Sequence, residues 1–133
     1  MQAEPIAVSK GTLWASRIVS GFVALFFLFD GAMKLVKPEF VVKETMRLGY
    51  RESTIVPLGV VLIVCTLLYL IPRTAVLGAI LLTAYLGGAV ATHVRAGEPV
   101  FSIVFAIVFG VLVWLGLYLR NPTLRLLVPL SFI

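Results

Sequence analysis

The chain has 133 residues, 61% hydrophobic and 13% charged, with a mean hydropathy of +1.11 and a formal net charge of +5. A soluble domain carries about 25% charged residues, and six acids with eleven bases cannot cover the surface that a water-soluble fold of this size exposes. The composition excludes an ordinary soluble domain, a disordered chain and a nucleic-acid binder; the single cysteine excludes a disulfide framework, a CxxC redox pair and a thiolate zinc cluster within one chain. An integral membrane protein is the class that remains.

A spanning helix needs roughly 20 mostly apolar residues to cross about 30 Å of hydrocarbon. The first apolar run, Ile18 to Phe29 between Arg17 and Asp30, is too short, so its helix must extend through Arg17 or through Asp30 towards Lys34. Arg17 can snorkel beside Trp14; the short Asp30 side chain needs water or a partner. A cleaved signal peptide is the competing reading, but no clear A-x-A site follows the run, and a retained helix is preferred. After it, Pro38 suits a first helical turn and Gly49 a helix C-terminus. Between them apolar residues mix with charges, and Glu39 and Lys43 form an i,i+4 pair. This is a short amphipathic interfacial helix. It reads first as a spacer between two spans, and in a sharper reading as a lid over what lies between the helices.

Three further runs have spanning length: Ser53 to Pro72, Thr74 to Thr92 and Val100 to Leu119. The expected fold is all-α, a single transmembrane four-helix bundle over residues 1–133. Its spans lie near 13–34, 54–71, 74–93 and 100–119, with the interfacial helix near 38–49 and an interfacial tail at 121–133. Four spans put both termini on one side, here side A. Trp14, Tyr69, Trp114 and Tyr118 fall at side-A ends as half of an aromatic belt. Five bases lie on side A and six on side B; if Lys34 and Arg95 are paired inside the fold, the balance tips side A, and the termini, towards the cytoplasm.

Ionisable residues at membrane depth are the functional candidates. Asp30 and Lys34 share a helix face one turn apart. The third span ends on the same side with Thr92, His93 and Arg95, and Glu98 follows. These groups can gather at side B, and Tyr85, Gly88 and Thr92 share a face leading inward. The small residues Ala84, Gly88 and Thr92 are expected to admit a neighbouring helix. A salt-bridged network that only fixes helix register is the equally weighted alternative. One histidine cannot supply bis-histidine haem ligation, and no metal set is expected. Phe101, Phe105 and Phe109 read as lipid-facing or packing surface in preference to a quinone site, and Cys65 as a small hydrophobe. No nucleophile–base pair or phosphate loop is seen, so the chain is not read as an enzyme on its own.

Several stretches resemble the DoxX-like membrane proteins: Phe29-Asp30-Gly31-Ala32-Met33-Lys34-Leu35 followed by Pro38, Ile71-Pro72-Arg73-Thr74 before the third span, Leu86 to His93 closing it, and Gly97-Glu98-Pro99 after it. Order and spacing match from about Trp14 to Pro129. The resemblance implies a four-helix bundle in a bacterial inner membrane. The family name comes from a subunit of a terminal quinol oxidase system, and relatives have been linked to thiosulfate–quinone electron transfer and to oxidative-stress complexes. Asp30, Lys34, Thr92, His93 and Arg95 match its pattern. A glutamate that many relatives carry in the second span is replaced here by Leu62, and a histidine that some carry early in the fourth span is absent at Ser102-Ile103.

Three functions follow. The first is a non-catalytic membrane subunit that binds a quinone- or lipid-like molecule, without a tightly bound cofactor, or docks a redox-protein partner. The second is a small proton-coupled transporter, and the third a structural scaffold. Beyond the lipid bilayer, a homo-oligomer is an expected partner.

Overall fold

Ser9 opens the first helix by accepting the Thr12 N–H on its side-chain oxygen at 3.2 Å, the usual way of satisfying a free helix-terminal donor. The structure, a computed structural model, describes residues 9–127. Helix α1 runs Lys10–Val36, 27 residues, about 40 Å at about 1.5 Å per residue. It therefore extends through both charges that bound its apolar run, leaving Arg17 exposed near one end and Asp30 half-buried near the other. Lys37 ends it in the left-handed region at φ 57° and donates its N–H to Met33 O; Pro38 cannot continue a helix from there.

Helix α2, Glu39–Arg47, closes with the Tyr50 N–H on Thr45 O and the Gly49 N–H on Met46 O, with Gly49 at φ +97°. That Schellman arrangement needs the left-handed conformation that glycine adopts without strain. A short 3₁₀ turn leads into α3, Ile55–Leu70. A second turn at Pro72–Thr74 leads into α4, Ala75–Arg95. Helix α4 ends as α2 does, with Glu98 N–H on His93 O, Gly97 N–H on Val94 O and Gly97 at φ +69°. Helices α5, Val100–Arg120, and α6, Pro122–Leu127, complete the chain. Arg125 folds α6 back by donating to the free carbonyls of Tyr118 and Leu119 at 2.9 and 2.5 Å. Residues 128–133 of the expected tail lie outside the described residues. Among the described residues there is no strand, and four helices are long and apolar enough to cross a membrane.

The four spans form a ring: α1 packs on α3 and α5, α4 packs on the same two, and α1 and α4 face each other across a diagonal. In lipid, apolar burial gives helices little reason to associate, so close packing through small residues and interhelical hydrogen bonds must hold them. Three seams show this. A methyl on Gly59 would stand 2.9 Å from Gly31 O, where α1 meets α3. One on Gly78 would stand 2.5 Å from Tyr69 Cα, where α3 meets α4. At Gly116, where α5 meets α1, it would stand 2.9 Å from the Tyr69 hydroxyl.

The last seam holds a polar knot. Ser16 Oγ donates to Gly116 O at 2.8 Å, and the Tyr69 hydroxyl donates to Val113 O at 2.7 Å. Ser20 Oγ lies 3.2 Å from that hydroxyl, whose proton is already committed, so Ser20 donates to it. Arg120 donates to Tyr69 O at 2.9 Å and stacks 4.9 Å from its ring centroid. Tyr69 is thus a fully buried tie between three helices and no part of an aromatic belt. Its position at a span end suggested the belt; the small residues opposite it decide the direction it faces.

Candidate functional site

The Gly78 and Gly116 seams draw the helices together at side A, while at side B, beyond the Gly31–Gly59 contact, the spans leave space. A cavity of about 520 Å³ lies there between the four spans, roofed by α2. Its floor is aromatic: Phe26, Phe27, Phe105 and Phe109 line it, with Phe26 and Phe109 centroids 4.4 Å apart and Phe105 and Phe109 4.8 Å apart. The expected phenylalanine stripe therefore divides. Phe109 is buried in the bundle, Phe105 lines the cavity, and Phe101 is 76% exposed. A larger groove, about 610 Å³, lies against α5 and α6 around Trp114 and Leu124. Its lining is almost wholly apolar, as a lipid-facing surface must be, so the chemistry belongs to the smaller cavity.

The cavity wall carries Asp30, Lys34, Tyr85, Thr92 and His93, five of the seven residues singled out from sequence. Lys34 Nζ donates to Asp30 Oδ1 at 2.7 Å, with the lysine side chain 15% and the aspartate 38% exposed. The acid that needs water or a partner is met by its own i,i+4 lysine, so each charge has a counter-charge beside it. Thr92 Oγ1 donates to Gly88 O at 2.8 Å and accepts the Tyr50 hydroxyl at 2.7 Å. His93 Nδ1 is buried and has no hydrogen-bond partner among the described residues, an arrangement that costs free energy unless something else satisfies it.

Arg95 and Glu98 do not line the cavity. Both hold the roof. Arg95 donates to Leu48 O, a free carbonyl at the C-terminus of α2, at 2.8 Å. Arg47 of α2 reaches back to Glu98, whose side chain is 7% exposed, at 2.5 Å; charge and proximity make that contact, since Glu98 Oε1 lacks an aligned hydrogen bond. Arg47 also donates to Glu44 at 2.6 Å. The hydrogen bond and charge of Arg47 hold the Glu44 carboxyl below its ordinary value, and the Glu44 contact raises Arg47 in turn. Of the two bases whose pairing inside the fold would tip the charge balance, Lys34 is paired with Asp30, whereas Arg95 lies at the surface on a backbone carbonyl.

The sequence model of the DoxX-like family matches residues 18–116. The chain belongs to the DoxX-like family. Among curated proteins and among solved structures, none matches it significantly. This DoxX-like membrane protein keeps all seven singled-out residues inside the matched span, which is shorter at both ends than the resemblance read from motifs. Leu62, standing where the resemblance leads one to look for a glutamate, is fully buried, so the bundle interior at that level is apolar. Ser102, standing where a histidine occurs in some relatives, lines the cavity.

Other lining residues of the DoxX-like chain were not singled out. Tyr50 lies in a connection with no periodic pattern, and only the fold brings it to Thr92. Phe26, Phe27 and Ser102 look from sequence like ordinary span residues. Glu44 and Thr45 belong to α2, which lines the cavity through Phe40, Val41, Glu44, Thr45 and Leu48, the placement that the lid reading requires. The stripe Ala84, Gly88 and Thr92 does not admit a close helix. Nothing lies within 4 Å of a methyl placed on Gly88, because α4 meets α3 at Gly78 and the stripe opens on the cavity.

Proposed function

We propose that this DoxX-like protein is a non-catalytic subunit of a bacterial inner membrane that holds a small hydrophobic molecule, quinone- or lipid-like, in the cavity beneath α2. One observation carries the reading: a cavity of about 520 Å³, within the range of about 300–1,000 Å³ usual for small-molecule sites, is aromatic at its floor and polar at its rim, where Asp30, Lys34, Tyr85, Thr92 and His93 line it. A bundle needed only for packing would fill its interior, since a void forfeits dispersion contacts. A proton-coupled transporter is less well supported, because Asp30 is already held by Lys34 near a span end and a coupling acid works best at mid-membrane. Docking of a redox protein would use the outer face of α2, where Glu39 and Lys43 are 83% and 73% exposed.

The test is thermal unfolding of detergent-purified protein against quinones, lipids and hydrophobic cations, for wild type and His93→Ala. A ligand at about 100 times its Kd adds about 2.7 kcal/mol of stability. The expected result is a shift in wild type that His93→Ala abolishes. Absence of any shift, with His93→Ala merely less stable, would favour the scaffold.

A further inference from the structure

The cavity does not close on every side. At side A, α3 and α4 are in backbone contact: a methyl on Gly78 would stand 2.5 Å from Tyr69 Cα and 2.8 Å from Leu68 C. Two to three turns along α4, the same methyl placed on Gly87 or Gly88 meets nothing within 4 Å. Ala84 sits on the outward face of α4, four residues after Ile80 and seven after Leu77, each 51% exposed, and exposed Gly87 and Ala91 continue that face. Yet Ala84 and Gly88 also line the cavity, with Leu58 of α3. A residue belongs to a lipid-facing stripe and to an internal cavity only where the two surfaces meet.

The side of α4 on which they meet is fixed by two hydrogen bonds. Thr83 accepts Trp114 Nε1 of α5 at 2.7 Å and so marks the α5 flank. Tyr85, Gly88 and Thr92 lie on the opposite flank at about 100° per residue, and Thr92 bonds Tyr50, which leads into α3. The opening therefore lies between α3 and α4.

We propose that this opening is a lateral portal, through which the apolar tail of an uncharged amphiphile runs from the cavity into the bilayer. The proposal rests on the reading of the cavity as a ligand site and adds the class of ligand. The charges around the cavity are compensated, Lys34 by Asp30 at 2.7 Å and Glu44 by Arg47 at 2.6 Å. The wall thus offers no net positive charge for a phosphate and no free carboxylate for a cation. What it offers a head group is hydroxyls, from Tyr85 and Ser102. These suit the carbonyl or hydroxyl oxygens of a neutral head. A tail lying between Leu58 and Ala84 exchanges one apolar surround for another and needs no water-filled path. Alkyl quinones and monoacylglycerols share this chemistry.

The experiment compares four probes by thermal shift: a decyl-tailed benzoquinone, monoolein, the same quinone ring without its tail, and phosphatidylglycerol. Each is titrated against wild type, Ala84→Trp at the portal and Leu77→Trp on the same face beyond it. At least one neutral tailed probe is expected to stabilise wild type and Leu77→Trp, and to lose about tenfold or more in apparent affinity, about 1.4 kcal/mol, in Ala84→Trp. The probe that does so tells a quinone head from a glyceride head. The ligand-free melting temperature of Ala84→Trp is expected to match wild type, since the position faces outward. A diazirine at the tail end gives a reading that needs no variant: labelled peptides are expected from 57–61 and 80–91. Unchanged affinity in Ala84→Trp, an equal shift with phosphatidylglycerol, or labelling confined to the outer faces of α1 and α5 overturns the portal while leaving the cavity reading intact. No shift in wild type with any probe overturns both.

Discussion

Gly78→Ala and Gly87→Ala place the same methyl on the same helix, and the structure gives them opposite signs. In a helix interior, alanine is favoured over glycine by about 0.8–1.0 kcal/mol. At Gly87 nothing lies within 4 Å of the added carbon, so that gain is retained and the variant is expected to be up to about 1 kcal/mol more stable. At Gly78 the carbon meets the α3 backbone, 2.5 Å from Tyr69 Cα and 2.8 Å from Leu68 C, where ordinary contact begins at 3.4 Å. Backbone cannot swing aside as a side chain can, so α3 and α4 must part by roughly 1 Å, and dispersion contact along the seam weakens steeply over that distance. Overpacking costs about 1–3 kcal/mol and occasionally more; with backbone as the obstacle we take the upper end. Net of helix propensity, Gly78→Ala is expected to lose about 2 kcal/mol. The single cysteine, Cys65, is 5% exposed in the core and reports unfolding through a thiol-reactive fluorophore during a thermal ramp in detergent. A Gly78→Ala variant melting at or above wild type, or below it by no more than Gly87→Ala, would falsify the claim that backbone approach at this seam holds the bundle.

Asp30→Asn leaves the largely buried Lys34 ammonium without its anion and is expected to cost about 2 kcal/mol; Asp30→Asn with Lys34→Met should recover more than half, and a double variant as unstable as the single one would contradict this. Tyr69→Phe removes the hydroxyl that ties α3 to Val113 O and Ser20, for a loss of about 1 kcal/mol, buried bonds in bilayers averaging about 0.6; a loss above about 3 kcal/mol would mean the knot is more cooperative than its parts. The pH response of α2 follows from Glu44. Its carboxyl is held below the ordinary 4.5 by Arg47, so its stabilisation is present above that value and is lost as the pH falls through the lower folded value. Arg47, shifted upward, stays charged. Amide exchange in α2, corrected for intrinsic rates, is expected to be flat from about pH 5 to 8 and to rise only below about pH 4; a rise between pH 5 and 7 would assign the pH response to a group other than Glu44.

Much of the fold is legible because the bilayer allows few solutions. Charged residues bracket three uncharged runs of spanning length, and a hydrocarbon solvent requires each to be a helix. Gly49 announces the end of α2 because a left-handed terminal residue is costly for anything else. The Asp30–Lys34 pair is equally plain, since residues four apart on a helix meet whatever surrounds them. Arg95 and Glu98 show where this reasoning stops. Side and depth bring them near Asp30, but the direction of a side chain depends on what its neighbours offer, and the free carbonyl of Leu48 and the guanidinium of Arg47 lie on α2. Tyr69, Tyr50 and Ser102 are illegible for the same reason: their partners are 42 or more residues away or form a cavity wall assembled from four helices.

Sequence alone determined the membrane class, the number of spans, the short helix between the first two and the local pair at the end of α1, because each follows from composition or from contacts within one helix. Tertiary structure decided which helices are neighbours and at which end they touch. With α3 and α4 clamped at Gly78 and open at Gly88, the space between the spans falls beneath α2. That asymmetry arises from pairs of positions on different helices, where a missing side chain on one meets backbone on the other.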